Sequence, residues 1–211
     1  MGKRCNPLGS RYRLVRMLIA ALAVAAVFTG SPSAQAENGS RQFAVEGSGR
    51  LDCAAFMAAR EDRGSGEYQR LIGFVEGYLS AANRYEPNTF DLSPWHNAAA
   101  FDLILAKHCT ENPGDLIVAV VQKMVGAFRP VRVAEFSPLV EVGAGENRAF
   151  VYQTILKRAQ AALGARGLYQ GEEDGVFSPR MRDALIAFQR SAELYETGVP
   201  DPATLWTLLN P

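Results

Sequence analysis

Histidine and cysteine are scarce in this sequence, with 2 and 3 residues respectively among 211. Three cysteines are too few for a dense disulfide scaffold. The two histidines, His96 and His108, belong to no His-Glu-x-x-His or comparable cluster, so the sequence predicts no metal site. No catalytic constellation is evident either. We therefore predict no catalytic residues and no cofactor.

An excess of charge of one sign is also absent, because 22 basic residues balance 22 acidic ones. The balance hides an asymmetry, since five of the basic residues and none of the acidic ones lie in the first 36 positions. Residues 37–211 carry 17 basic and 22 acidic residues. This net negative charge repels the phosphate backbone of nucleic acids, so we predict no nucleic-acid partner.

A hydrophobic run long enough to span a membrane is missing as well. The longest run, residues 17–28, has 12 apolar residues, whereas a bilayer core needs roughly 20. A basic stretch precedes it and Ala34-Gln35-Ala36 follows it, which is the pattern of a cleaved signal peptide. We predict a signal peptide over residues 1–36, cleavage near Ala36, and a periplasmic or secreted product that meets the membrane only during export. An uncleaved N-terminal anchor is the alternative.

Export changes the interpretation of the cysteines. Two remain after cleavage, Cys53 and Cys109, and an even pair in an oxidising compartment predicts a disulfide. A metal site would need more ligands than the sequence offers. A catalytic thiol would need a partnering base, for which His96 is the candidate, and this alternative stays open.

The exported part begins with a polar, Gly/Ser-rich stretch, residues 37–50, which we predict to be a disordered leader. Apolar residues at helical spacing and N-capping residues then predict a helical domain over residues 51–128. Four helices are expected: one capped by Asp52, one over 67–84, one over 95–109 after Ser93-Pro94, and one over 114–128 after Asn112-Pro113.

Three features of this domain recur in a known family: Cys53-x-x-Phe56, a Gly/Phe/Tyr helix at residues 73–78, and a short gap between Cys109 and the last helix. With them, residues 51–126 resemble the HdeA-like periplasmic acid-stress chaperones. The resemblance implies a small helical architecture that the disulfide stabilises. Chaperone activity is a further expectation of the same resemblance.

Residues 129–150 contain Pro130, Pro138 and Gly143-Ala-Gly145, and their apolar residues do not fit a helix. We interpret this segment as an interdomain linker. Because it carries many β-forming residues, part of it is expected to be extended and packed.

The last third, residues 151–211, predicts three more helices. The first ends at Gly167, and the second and third open at Ser178-Pro179 and Asp201-Pro202, each an N-cap followed by proline. The predicted fold is therefore all-α, with a disulfide-stapled helical domain followed by a three-helix domain.

An ordered series of residues in this last third follows the pattern of the peptidoglycan-binding domain type 1 family. The matching residues are Gln160, Leu163, Gly167, Tyr169, Gly171, Asp174, Gly175, Phe177, Ala184, Phe188, Gln189, Thr197, Gly198, Thr204 and Leu208. Residues 151–211 therefore resemble this family. Ser178 and Met181 depart from its usual glycine and threonine, a difference that bears on ligand affinity more than on the fold.

The resemblance implies peptidoglycan as the ligand. An aromatic face can stack on sugar carbons, and arginine can pair with stem-peptide carboxylates. Purely structural roles compete, because the glycine can serve turn geometry and the aspartate can bond its own turn. The candidate ligand-binding residues are Tyr169, Asp174, Gly175, Arg180, Arg182 and Trp206.

We expect an exported, non-enzymatic cell-wall-binding protein that displays its helical domain in the periplasm, where another periplasmic protein is a second candidate partner. One alternative is a wall-tethered acid-stress chaperone. Another is an accessory protein, inhibitor or enzyme of cell-wall metabolism. Sequence alone leaves the enzyme open, because a muramidase-like carboxylate pair has no fixed spacing.

Overall fold

The computed structural model describes residues 43–210, so the predicted signal peptide lies outside the described residues. Strand β1 and the first four residues of strand β2 lie in the segment predicted to be a linker, and the two strands correct the prediction of an all-α fold. The elements in chain order are a 3-10 helix Gly47–Arg50, α1 Cys53–Ala59, α2 Gly66–Tyr85, α3 Ala98–Glu111, α4 Ile117–Phe128, β1 Leu139–Ala144, β2 Asn147–Tyr152, α5 Gln153–Ala165, α6 Pro179–Ser191 and α7 Pro202–Leu209.

Capping side chains explain where three of the predicted helices begin. Asp52, Ser178 and Asp201 each accept a hydrogen bond from the backbone N–H three residues later. Such a bond satisfies one of the free donors in the first turn of a helix. The starts of α1, α6 and α7 are thus confirmed.

The start of α3 is three residues later than predicted. Asn97, rather than Ser93, caps the helix by accepting from the backbone N–H of Ala100. The two residues before it turn inward, and Trp95 is buried. Burial of the indole therefore overrides the Ser-Pro start signal.

The start of α4 is also later than predicted, because the preceding backbone pairs with a distant segment. Cys53 N–H donates to the carbonyl of Asp115 at 2.8 Å, and Ile117 N–H donates to that of Leu51 at 2.9 Å. This antiparallel bridge between Asp52 and Leu116 keeps Leu116 extended, so the helix begins only at Ile117.

The helical lobe, which we define as α1–α4 with the preceding 3-10 helix, is held by a disulfide. Cys53 in α1 and Cys109 in α3 are bonded, with an S–S distance of 2.07 Å. The predicted pairing is confirmed. Part of the predicted disordered leader is ordered here, since Gly49 in the 3-10 helix is buried and a Cβ on it would overlap the ring of Phe74.

A buried carboxylate provides a second tie within the helical lobe. Asp102 on α3 accepts two hydrogen bonds from Arg60, at 2.8 and 2.9 Å, and one from the hydroxyl of Tyr68. Arg63 completes the cluster at 3.0 Å. Burial raises the pKa of Asp102, but these hydrogen bonds and positive charges outweigh it, so the pKa lies below its ordinary value.

The C-terminal module consists of β1, β2 and α5–α7. The strands form an antiparallel hairpin in which Val140 faces Val151 and Val142 faces Ala149. Val142 and Val151 are buried in the same core as Ile155 of α5. The expectation that the β-forming residues of the linker would be extended and packed is therefore confirmed.

The helical lobe and the C-terminal module meet along a packed seam. Asp91 and Val133 exchange backbone hydrogen bonds of 2.8 and 3.0 Å. Trp95 packs in the core of the module, although it precedes α3. Arg158 of α5 donates to the backbone carbonyls of residues 131 and 132, and burial lowers its pKa. The connecting segments thus belong to one packed structure.

Candidate functional site

Two buried glutamines organise the loops of the C-terminal module. Gln160 on α5 accepts from the backbone N–H of Gly175 at 2.8 Å and donates to the carboxylate of Asp174 at 2.9 Å. Its amide also donates to the carbonyl of Val176 at 3.1 Å. A buried amide with its donors and acceptor satisfied fixes the loop that follows α5.

Gln189 on α6 repeats this arrangement one helix later. It accepts from the backbone N–H of Gly198 at 2.9 Å and donates to the carbonyl of Val199 at 3.0 Å and to the hydroxyls of Thr197 and Thr204. Each glutamine thus ties a Gly-Val pair that precedes a capped, proline-initiated helix. The loops after α5 and after α6 are therefore held by the same hydrogen-bonding arrangement.

Positive φ angles explain the two glycines of these loops. Gly175 and Gly198 have φ of +76° and +68°, values that residues with a side chain rarely adopt. A Cβ at Gly175 would lie 2.8 Å from the carbonyl oxygen of Gln153. The structure therefore gives Gly175, a predicted contact residue, a role in turn geometry.

Tyr169, a predicted contact residue, is largely buried. The residue is 8% exposed and packs in the module core. Its hydroxyl donates to the carbonyl of Glu172 at 3.1 Å and lies 3.3 Å from the amide of Gln160. The ring is thus covered by its own module, and removing it would leave a gap in the core.

Asp174 and Arg180 lie beside the same loop. Asp174 accepts from Gln160 and from the backbone N–H of Val176, and the bond from Gln160 contributes most to holding its pKa below the ordinary value. Arg180 is exposed and donates to the carbonyl of Gln170 at 3.2 Å. Both residues are exposed, but the carboxylate of Asp174 is already hydrogen-bonded to its own module, whereas the guanidinium of Arg180 makes one bond to a backbone carbonyl.

Arg182 lies in a depression between α6 and the hairpin. The depression has a volume of about 330 Å³, and Ser178, Thr197 and Asn147 also line it. Gly143 on β1 makes this arrangement possible, because a Cβ there would lie 2.6 Å from the side chain of Val199. The hairpin therefore forms one wall of a cleft whose other wall is the loop after α6.

A larger depression continues from this one, and we call the two together the hairpin groove. The second part has a volume of about 810 Å³ and shares Asn147, Thr197 and Val199 with the first. Glu193 and Tyr195 line it from the loop after α6, and Tyr195 is 91% exposed. Aromatic, cationic and anionic side chains thus meet along one surface.

Free charges line the hairpin groove. Arg182, Glu146 and Glu193 make no ion pair with the residues that the structure describes. Arg148 is paired with Glu141 at 3.2 Å. A ligand that carries both carboxylates and amines can therefore pair with this surface without first breaking an internal bond.

Trp206 lies away from the hairpin groove's main opening, on the side of α7 that faces α3. It is 43% exposed, and its ring meets His96 edge to face at 5.2 Å. The six predicted contact residues therefore lie in three places. Four of them lie at or beside the loop after α5, namely Tyr169, Asp174, Gly175 and Arg180. Arg182 lies in the hairpin groove, and Trp206 faces α3. Sequence reasoning missed Asn147 and Tyr195, although the Gly-rich turn between alternating apolar residues could have revealed the hairpin.

Within residues 43–210, no three His, Cys, Asp or Glu side chains are grouped so that they could hold a metal ion. In the same range, none of the helices is both long and apolar enough to cross a membrane.

Comparisons with known proteins support the resemblance of the C-terminal module. Residues 153–208 match the family model described as "Putative peptidoglycan binding domain". Two curated relatives, the proteins named "Localization factor PodJL" from Caulobacter vibrioides strains NA1000 / CB15N and ATCC 19089 / CIP 103742 / CB 15, are each 40% identical over 82 residues. That region is 37% of this chain and 8% of each relative, so the chain spans a small part of their length. No solved structure matches the chain.

Proposed function

We propose that this chain is an exported, non-enzymatic protein that binds peptidoglycan through the hairpin groove and displays the helical lobe at the cell wall. The observation that carries the proposal is the position of the groove. It opens on the loop and the helix start of the segment, residues 153–208, that matches the peptidoglycan-binding family.

The chemistry of the groove suits the polymer. Peptidoglycan joins strands of amino sugars through short peptides that carry free carboxylates and amines. The guanidinium of Arg182 suits a carboxylate, and Glu146 and Glu193 suit an amine. The exposed ring of Tyr195 offers an apolar face to sugar carbons.

Export is supported by the disulfide within the helical lobe. Cys53 and Cys109 are bonded, and disulfides form and persist mainly in oxidising compartments such as the periplasm. The apolar run and the Ala34-Gln-Ala36 pattern at the N-terminus supply an independent argument from the sequence.

Co-sedimentation of the full chain with purified sacculi tests the proposal. We expect Arg182→Ala and Tyr195→Ala to bind about tenfold more weakly, because a lost ionic or stacking contact is worth roughly 1–2 kcal/mol. Arg180→Ala, at an exposed arginine outside the groove, and Tyr85→Ala, at a tyrosine 79% exposed on α2, are the matched controls.

Each outcome of that experiment has a clear meaning. Wild-type protein that stays in the supernatant would overturn peptidoglycan binding. Equal losses for Arg180→Ala and Arg182→Ala would place the ligand on the loop of Asp174 instead. Zymography with sacculi as substrate tests the non-enzymatic part, and a clearing band from the purified chain would contradict it.

A further inference from the structure

A second depression lies at the seam between the helical lobe and the C-terminal module, and we call it the seam pocket. Its volume is about 610 Å³, and α3 and α7 form its walls. The walls are mostly apolar, with small side chains on both helices and a large one on each. Besides the buried Trp95, the apolar lining residues are Ala99, Ala100, Leu103, Pro202, Ala203 and Trp206.

The seam pocket adjoins the hairpin groove. Asp201 and Ala203, at the start of α7, line both depressions. The first turn of α7 is therefore a ridge between two parts of one surface. An extended polymer lying in the groove would cross this ridge and reach the helical lobe.

Trp206 is held firmly while it remains accessible. Its edge-to-face contact with His96, at 5.2 Å between ring centroids, fixes one side of the indole. His96 in turn lies 4.4 Å from the ring of Phe128 at the end of α4. Even so, 43% of Trp206 is exposed, as is 63% of Leu103 across the pocket. A fixed, accessible aromatic face needs little ordering when a ligand covers it.

Polar groups surround the apolar walls. Lys107 is exposed, and its side-chain ammonium makes no ion pair with any residue in the range 43–210. Thr207 donates its hydroxyl proton to the carbonyl of Ala203, so its oxygen can still accept a hydrogen bond. A fixed aromatic face with a cation and a hydroxyl at its rim matches a sugar ring whose substituents include hydroxyls and carboxylates.

We propose that the seam pocket is a second subsite for the glycan strand of peptidoglycan, with a sugar ring lying on the indole of Trp206. This inference rests on the proposed function of the hairpin groove. In this proposal the helical lobe also contacts the polymer, through Leu103 and Lys107 of α3. The polymer is thus bound across the seam rather than by the C-terminal module alone.

Tryptophan fluorescence tests the subsite directly, because the chain has 2 tryptophans and both line the seam pocket. Trp95 is only 5% exposed against 43% for Trp206, so a sugar in the pocket changes the surroundings of Trp206 far more. Titration of the full chain with an oligomer of N-acetylglucosamine should give a saturable blue shift as a sugar covers Trp206. Trp206→Phe should abolish the shift, and Tyr85→Ala should retain it. No shift with the wild-type chain, or a shift that survives in Trp206→Phe, would overturn the proposal.

Binding to sacculi provides the second readout. We expect Trp206→Ala and Leu103→Gln to weaken binding by about three- to tenfold, with circular dichroism melting confirming that both variants fold. If wild type binds and both variants bind equally well, the subsite is wrong while the hairpin groove stands. If wild type does not bind at all, the proposed function itself fails. A shift produced by stem peptide and not by the sugar oligomer would also overturn the assignment to glycan.

Discussion

The helical lobe and the C-terminal module are stabilised by different kinds of interaction. The lobe relies on a covalent bond between Cys53 and Cys109 and on the charged cluster around Asp102. The module has no cysteine, and its loops depend on the uncharged amides of Gln160 and Gln189. The difference teaches that oxidation state should act on the lobe and leave the module's loops, and hence the hairpin groove, largely unaffected.

The largest expected effect comes from removing the disulfide. A bond that closes a loop of about 57 residues stabilises a fold by about 4 kcal/mol in the chain-entropy model. The double variant Cys53→Ala/Cys109→Ala should therefore lose hydrogen-exchange protection in α1 and α3. Helices α5 and α6 should keep theirs. Equal loss of protection in both regions would show that the two parts do not differ as described.

The second-largest expected effect is the loss of stability when Gln189, which holds the loop after α6, is replaced. Gln189→Ala leaves the N–H of Gly198 buried without its partner, and the carbonyl of Val199 keeps only a 3.4 Å bond from the hydroxyl of Thr197. Unsatisfied buried groups cost about 1–3 kcal/mol each. We expect the free energy of unfolding to fall by about 3 kcal/mol. Gln170→Ala, at an exposed glutamine, is the matched control. Chemical denaturation measures both, and similar midpoints for the two variants would contradict the role of Gln189.

Acid should act through His96 at the seam. Burial lowers the pKa of His96 to about 4 from 6.5, and the rings of Trp95, Phe101, Phe128 and Trp206 surround it. Because the unfolded chain takes up the proton first, stability is lost as the pH falls from about 6.5 to about 4. The loss is at most about 3 kcal/mol, since one pKa unit corresponds to about 1.4 kcal/mol.

The control for this effect is His96→Phe, which keeps an aromatic ring and removes the titration. We expect the difference in unfolding free energy between wild type and this variant to change with pH across that window. Carboxylates such as Asp102 titrate in both proteins and cancel in the comparison. A difference that is constant from pH 7 to pH 4 would show that His96 does not titrate as described.

The smallest effect distinguishes a structural from a contact role for Tyr169. Tyr169→Phe keeps the buried ring and removes the hydroxyl that donates to Glu172, so it should lower the free energy of unfolding by about 1 kcal/mol. Sacculus binding by this variant should be unchanged. Thermal melting beside co-sedimentation measures both quantities. Weaker binding with an unchanged melting temperature would restore Tyr169 as a ligand contact.

Local signals in the sequence predict those parts of the fold that depend on neighbouring residues. Asp52, Ser178 and Asp201 cap their helices as expected, since a cap involves only the next three residues. The glycines of the loops follow from φ angles that a side chain disfavours. Local sequence signals do not predict the late start of α4, because it depends on backbone pairing between residues 51–53 and 115–117.

The candidate site was predicted less well than the fold. The pattern of the family identifies the residues of the loops, but it does not separate a buried Tyr169 from an exposed Tyr195. The hairpin groove joins Asn147 to Thr197, which lie far apart in sequence and meet only because Gly143 lets the hairpin approach Val199. Long-range packing of this kind leaves no local signal.

Chemical-shift mapping of the full chain with a soluble muropeptide tests the central claim most directly. If the hairpin groove binds peptidoglycan, the largest backbone amide shifts will fall at Asn147, Arg182 and residues 193–199. The loop at residues 170–174 and the exposed end of α2 should shift little. Largest shifts at residues 170–174, with the hairpin unaffected, would contradict the account.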